Sequence, residues 1–593
     1  MSEAAYGTWT SSITSDLIVS GAVPIKEIVA DEANPHLIYW VESRPSEQGR
    51  YVLMQHDLER GTTQDVVPAD YNCRTTVHEY GGAAVTLAQG RLIWSNFADQ
   101  RLYESVKIGE PPVPITAEKA PYRYADGDYD PNRNAIFIVR EDHTVDQPAK
   151  VKNEIVMLRL GEPGEPAREE KVVVSGADFY SSPRISPDGN MLAYISWNHP
   201  NMPFDNTYLD VSELSNEGDV TKTHQVVRSE DSDPVSNMEP RWAPNKEKPN
   251  LYFISDRSSW WNIWRADFVP EKSTFDLVHF LPLEYEVGGP TWVFGNKSYS
   301  ILNSTCLFYV DSSSGANKMY SVTFPEGAGS SILRSDITVS EVTGADLCRS
   351  IGDFTVSTKS DGTHVLCYLG GSPDVPSSLF NVTISPAPLQ AVPKSGKSIR
   401  QSFDQKKLDQ VNKAHISHPQ HIEYPTLHPS KPEIKDRKAY GFFYPPTNGD
   451  FAGMQSEKPP LLIKGHGGPN GATSTAFRID IQYWTSRGFA VFDSNYGGST
   501  GYGKEYRQRL YGQWGVVDVL DVCAAGRYLA DQGKVDANRI CIDGRSAGGY
   551  TTLAALTFQR SVYGEKVFTA GASHFGVSDP EILAQETHKF ESR

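Results

Sequence analysis

Seven short β-rich runs at near-equal intervals constrain this chain more than any other feature of its sequence. They are "LIYWVES" from Leu37, "LIWSNF" from Leu92, "AIFIVRED" from Ala135, "LAYISW" from Leu192, "LYFISD" from Leu251, "CLFYVDS" from Cys306 and "HVLCYLG" from His364. Successive starts lie 55, 43, 57, 59, 55 and 58 residues apart. Each run is rich in β-branched and aromatic residues and bounded by turn formers. "SPDG" from Ser186 precedes the fourth run and "WAPN" from Trp242 the fifth. A charged turn often leads into a second strand, as in "SDRSSWWNIWRAD" from Ser255. A period of this size, with several short strands per unit, predicts a β-propeller, and seven runs predict seven blades. An array of β-sandwiches with coincidental spacing is the alternative. The propeller is assigned to residues 21–415, behind an N-terminal segment, 1–20.

The alternation fades between residues 385 and 438, a stretch rich in proline and lysine that reads as a linker or wrapping segment. His415, His418, His421 and His428 fall here. They lack helical register and read as loop residues, so no metal site is assigned. Beyond Lys438 strands alternate with helices. "PLLIKGHGGP" (460–469) is a buried strand entering a glycine turn, and "FAVFDSNYGGSTGYG" (489–503) a strand and loop. Val519, Val522, Cys523, Gly526, Leu529 and Ala530 share one helix face. Such alternation predicts a mostly parallel sheet with helices on both faces, assigned to 416–593.

Bulk properties exclude several functions. The formal charge is −17, which argues against nucleic acid, because phosphate binding needs a basic surface. The first residues, "MSEAAYGTWTSS", have neither a basic n-region nor an apolar h-region. No run approaches the 18 or so apolar residues that span a bilayer. No membrane is therefore assigned, and the expected compartment is the cytoplasm. The six cysteines are scattered with no CxxC pair, so reduced thiols are expected rather than a disulfide framework or zinc site. Oligomeric state is left open by the sequence.

The chemistry gathers at "ICIDGRSAGGY", residues 540–550. Gly544-Arg545-Ser546-Ala547-Gly548 fits G-x-S-x-G, the strand-to-helix turn that presents a nucleophilic serine in α/β-hydrolases. Glycine is needed two residues either side because the turn is tight. Ser546 is the candidate nucleophile, and the Ala547 amide at the helix start is a candidate oxyanion donor. The loop His466-Gly467-Gly468-Pro469 follows a buried strand, as the second oxyanion loop of such hydrolases does. The Gly468 amide is assigned the second donor. His466 precedes the serine, against the order Ser…Asp…His, and reads as a loop-packing residue.

With "HGGP", "NYGGSTGYG", "QWGVVDVLDV" and "GRSAGGYTTLAAL" behind the repeat, and "VHEYGG", "SWNHPNMPFD" and "EPRWAPN" within it, the chain resembles the prolyl oligopeptidase family of serine peptidases. Its acylaminoacyl-peptidase and dipeptidyl-peptidase-like branch is the best likeness. The resemblance implies a Ser–Asp–His peptidase whose propeller restricts it to short peptides, with no cofactor. It also implies that the Asp and His follow later strands than the 47 residues after Ser546 supply. The triad Asp and His are therefore expected to be absent. The chain is expected to be C-terminally truncated, its α/β-hydrolase domain incomplete, with an unpaired sheet edge. His574 with Asp579 is the local substitute considered, and His588 is read as lying in a helix.

An exopeptidase that grips a free α-amine needs a carboxylate near the site. Glu79 of "VHEYGG" is the candidate, with pairing to Arg74 as its structural alternative and Asp205 as the weaker choice. An acyl-peptide-releasing enzyme would not need it. The sequence thus predicts a serine peptidase acting on short peptides through Ser546, inactive as written if the triad is absent. The alternatives are a carboxylesterase and a catalytically dead propeller scaffold that binds a protein.

Overall fold

The computed structural model describes residues 1–592 except 21, 32, 231, 248, 314–316, 326–333, 345–346, 349 and 431–435. Seven four-stranded antiparallel sheets follow one another in sequence, from Ile25–Ala30 at the start of the first to Lys397–Gln401 at the end of the last. They are the blades of a seven-bladed propeller. Every run singled out from the sequence is the second strand of its blade. These strands are buried almost end to end; Met191–Trp197 and Cys306–Val310 are buried throughout. Packed between neighbouring blades on both faces, they read as continuous apolar runs rather than alternating ones.

Carboxylates near the axis stitch blade to blade through backbone amides. Glu27 accepts from Ala84 N at 3.0 Å, Asp126 from Ser182 N at 2.7 Å and Glu239 from Ser298 N at 2.9 Å. The ring closes side by side, with Arg400 of the last blade holding Glu42 of the first at 2.7 and 2.8 Å.

The α/β domain is a six-stranded sheet. Its strands are β1 (Gln420–Pro425), β2 (Lys438–Tyr444), β3 (Leu461–Gly465), β4 (Ala490–Asn495), β5 (Ile540–Arg545) and β6 (Ala570–His574), in the order β1-β2-β4-β3-β5-β6. The β1–β2 and β2–β4 pairs are antiparallel and the rest parallel. Helices α1 (Val517–Asp531) and α2 (Ala547–Val562) pack against this sheet. The helix face read from sequence is the packed one: Val519, Val522, Cys523 and Leu529 share a core with Ile463, Phe492 and Ile542. At Gly526 a Cβ would meet Val567 at 3.0 Å, which is why so small a residue sits there.

Strand β6 hydrogen-bonds β5 on one side, and all five of its residues are exposed. Leu553, Phe558, Phe575 and Ile582 are exposed as well. The N-terminal strand Ser2–Ala4 pairs in parallel with Phe451–Gly453, so the first residues lie on the α/β domain rather than on the propeller. Among the described residues no helix is long and apolar enough to cross a membrane, and no cluster of His, Cys, Asp and Glu is placed to hold a metal ion. All six cysteines are unbonded.

Candidate active site

Strand β5 turns into α2 through Ser546, whose backbone is held at φ 53° and ψ −122°. A non-glycine residue there is strained, and such strain concentrates at functional turns. The two flanking glycines are required by contact rather than by flexibility. A Cβ on Gly544 would lie 2.1 Å from Gly548 O, and one on Gly548 would lie 2.2 Å from Gly465 O. The start of α2 is thereby pressed against the ends of β5 and β3. Ser546 N donates to His574 O at 3.2 Å, and Ser546 is exposed at the tip.

The loop after β3 lies beside the serine. A Cβ on Gly467 would lie 3.6 Å from Ser546 Cβ. Gly468 follows at φ 126°. The first amides of a helix have no intrahelical acceptor, and Ala547 is the first residue of α2. The Ala547 and Gly468 amides, the two assigned oxyanion donors, thus belong to adjoining segments. The loop is braced from several directions. Trp292 Nε1 of the propeller donates to Asn470 O at 2.7 Å, and Asn470 Nδ2 donates to Gly498 O at 2.9 Å.

His466 packs this loop. Its ring stacks on Tyr496 at 4.3 Å. Nδ1 donates to Gly467 O at 2.8 Å, leaving Nε2 to accept from Ser499 Oγ at 2.7 Å. Burial lowers its pKa and favours the neutral ring. Both nitrogens are engaged away from Ser546.

Asp579 and His588 are also occupied, whereas His574 ends β6 next to the serine, its backbone oxygen accepting from Ser546 N. Asp579 caps helix α3 (Pro580–Glu586), its Oδ1 accepting from Glu581 N at 2.9 Å and Ile582 N at 3.2 Å. His588 does not lie in a helix, in contrast to the reading from sequence: α3 ends at Glu586, and His588 Nε2 faces Glu591 Oε2 at 3.5 Å. Its neighbour Phe590 is only 2% exposed because it enters the propeller, ringed by His78, Phe179, Trp292 and Tyr80. That burial holds the segment in a turn. Among the described residues no histidine or carboxylate hydrogen-bonds the Ser546 hydroxyl.

Asp518 was not singled out from the sequence, although "QWGVVDVLDV" contains it. It joins α1 to α2 one turn beyond the serine, accepting from Thr551 Oγ1 at 2.5 Å and from Gly515 N at 2.7 Å. Burial pushes its pKa up to about 6.

Between the domains lies a cavity of about 660 Å³. The propeller contributes Met202, Asp205 and Trp292; the α/β domain contributes Gly468–Asn470, Tyr511, Trp514, Leu583 and Glu591. Glu79 is not in its lining. That carboxylate pairs with Arg123 at 2.6 Å, while Arg74, the partner considered from sequence, lies over the rings of Tyr51 and Phe97.

Residues 475–593 match the prolyl oligopeptidase family. Over its whole length the chain resembles the structure of a puromycin-hydrolyzing peptidase from Mycobacterium tuberculosis, at 31% identity and a TM-score of 0.83, covering 83% of that chain. The chain belongs to the prolyl oligopeptidase family. Family relatives include dipeptidyl aminopeptidase BIII of Pseudoxanthomonas mexicana, 34% identical over 115 residues, 19% of this chain and 17% of that protein. Acylamino-acid-releasing enzyme 2 of Oryza sativa subsp. japonica is 35% identical over 97 residues, 16% of this chain and 12% of that protein. These two matches thus span less than a fifth of either relative.

Proposed function

We propose that the chain is a serine peptidase that cleaves short peptides through an acyl-enzyme on Ser546, with the Ala547 and Gly468 amides receiving the oxyanion. The observation that carries this reading is the turn itself: Ser546 at φ 53° between two glycines that no larger residue could replace, beside the Gly467–Gly468 loop. Losing one such donor typically costs about 2.7–4 kcal/mol of transition-state stabilisation. The propeller favours peptides over bulky substrates, because Trp292 and Met202 wall the approach to the glycine loop.

A serine hydroxyl is a weak nucleophile until a base takes its proton. Since His466 is engaged with Ser499 and Asp579 with the start of α3, neither supports that role. We therefore expect the chain to react slowly alone and to respond to a diffusible base, because Ser546 is exposed. The test is fluorophosphonate labelling with and without imidazole, beside Ser546→Ala. Imidazole is expected to accelerate labelling at least about tenfold, and the variant to remain unlabelled. Equal labelling of wild type and variant, with or without imidazole, would leave the scaffold reading in its place. Rapid labelling without imidazole would point to a base within the chain, with His574 the first to mutate.

A further inference from the structure

A second cavity, of about 30 Å³, lies within the propeller near its axis. Its lining brings together four buried side-chain atoms that find no hydrogen-bond partner within the protein: Trp197 Nε1, Asn237 Oδ1, Arg241 Nε and Thr291 Oγ1. Trp197 and Asn237 are 1% and 0% exposed. Asn237 Nδ2 donates to Thr207 O at 2.7 Å, which fixes Oδ1 as the unpaired end of the amide. Arg241 Nη2 donates to Asn296 O at 3.0 Å, which holds the guanidinium with Nε unpaired. Native proteins pair nearly all buried polar atoms, so four of them around one cavity mark a site. They come from three separate pieces of the propeller. Trp197 ends Met191–Trp197, the second strand of blade four, and Asn237 and Arg241 lie on Asn237–Trp242, the first strand of blade five. Thr291 lies on the connection from blade five to Tyr299–Asn303, the first strand of blade six.

The four atoms also specify the chemistry of what fills the cavity. Trp197 Nε1 and Arg241 Nε can only donate, Asn237 Oδ1 can only accept, and the Thr291 hydroxyl can do either. A bare anion would leave Asn237 Oδ1 unmatched, and a bare cation would face the N–H groups of Trp197 and Arg241. The charges of the lining already balance, with Arg184 paired to Asp126 at 2.7 Å and Arg241 to Glu239 at 3.4 Å. The ligand is therefore small, neutral, and both donor and acceptor. A buried water needs about 10–15 Å³ of such space and makes about three hydrogen bonds, so the volume suits two. We propose that two ordered waters are built into the propeller here, bridging blades four and five to the connection that carries Trp292. The four protein atoms, with the bond between the two waters, give each water about three bonds. Thr291 adjoins Trp292, whose Nε1 donates to Asn470 O of the glycine loop, so the waters stand behind that brace. This inference concerns the propeller alone and does not depend on the peptidase reading.

The first test is a crystal structure of the full chain soaked in sodium bromide. Two density peaks without bromide anomalous signal are expected, each within about 3.2 Å of at least two of the four atoms. A cavity without density would overturn the proposal, and a bromide peak would overturn it in favour of an anion. Urea denaturation supplies an independent sign. With the waters in place, Thr291→Val deletes one of their bonds and should lower the unfolding midpoint. In a dry cavity the hydroxyl is an unpaired buried group whose removal relieves a penalty, so a midpoint that stays or rises would overturn the site. Trp197→Phe should lower the midpoint as well, and the double variant should lose less than the two single losses added, because both changes act on the same waters. Strict additivity would show that the two residues share no ligand. Should either variant fail to fold, the bromide-soaked crystal of the unaltered chain decides.

Discussion

At Gly548 the requirement for glycine comes from backbone atoms that lie well inside contact distance of any side chain. Its φ is not in the left-handed region, so an alanine there would suffer no backbone strain; the obstacle is Gly465 O, 2.2 Å from where the methyl would sit, with His466 O at 2.7 Å. Both are backbone atoms at the end of β3 and cannot swing aside as a flexible side chain could. To accept the methyl, α2 must shift away from the sheet, and Ser546 moves with it. Gly548→Ala is expected to destabilise the α/β domain by about 1–3 kcal/mol, the usual cost of overpacking, and to reduce imidazole-dependent labelling more than stability alone accounts for. Urea denaturation followed alongside labelling checks both. Unchanged labelling in a destabilised protein would show that the turn keeps its geometry without the close contact. Gly512 provides the contrast: nothing lies within 4 Å of its missing Cβ, and its φ of 62° alone accounts for the glycine. The G-x-S-x-G pattern was legible in the sequence because close packing leaves glycines at fixed offsets. Asp518 was not legible, because a buried aspartate in a helix looks like any other until Thr551 and Gly515 are seen to converge on it.

Elements were legible where burial is two-sided and illegible where tertiary contact decides. The second strand of each blade announced itself through its apolar run, whereas the fourth strand of the first blade, Thr62–Asp65, is exposed at every residue and carries no apolar pattern. Residues 587–592 are the clearest misreading. "THKFESR" has the composition of an amphipathic helix, but Phe590 stacks 5.1 Å from His78 inside the propeller. Lys589 Nζ donates to Val151 O at 2.8 Å and Asp178 O at 3.1 Å. No local propensity encodes a partner hundreds of residues away. The segment works as a hook that ties α3, and with it one wall of the cavity, to the propeller. Phe590→Ala is expected to cost about 3–5 kcal/mol, the range for deleting a buried aromatic ring. The loss should be concentrated in the contact between domains. Hydrogen exchange should therefore quicken across 580–592 and around His78 while the other blades stay protected. Exchange that quickens uniformly over the propeller would make Phe590 an ordinary core residue instead of a hook.

At the scale of the whole molecule, the domains are also joined by a buried charged cluster. Arg507, 1% exposed, extends from the α/β domain into the propeller. It stacks on Trp261 at 3.9 Å, bonds Asp256, and faces Glu286 Oε1 at 3.8 Å. Glu286 also accepts from Gly503 N at 3.0 Å and Trp261 N at 2.8 Å, while Lys504 Nζ nearby donates to Pro234 O. Arg507 faces both buried acids, and Lys504 adds a second positive charge near Asp256. Burial raises the pKa of both Asp256 and Glu286, against the pull of Arg507, and takes Glu286 to about 7. A carboxyl raised in this way binds its proton more firmly folded than unfolded, so its contribution to stability is complete below about pH 4.5 and is lost as pH rises towards 7. For Glu286 the loss amounts to at most about 3–4 kcal/mol, from ~1.4 kcal/mol per pH unit over the rise from 4.5 to about 7. Glu27, near the propeller axis, is likewise raised to about 7 by burial, so the measurement must be a difference. Urea denaturation of wild type and Glu286→Gln between pH 5 and 8 is expected to show a steeper loss of stability in the wild type, and limited proteolysis should show the excess at the domain interface. Parallel slopes would mean that Glu286 stays ionised beside Arg507. The interface would then be held by a persistent ion pair, insensitive to pH in this range.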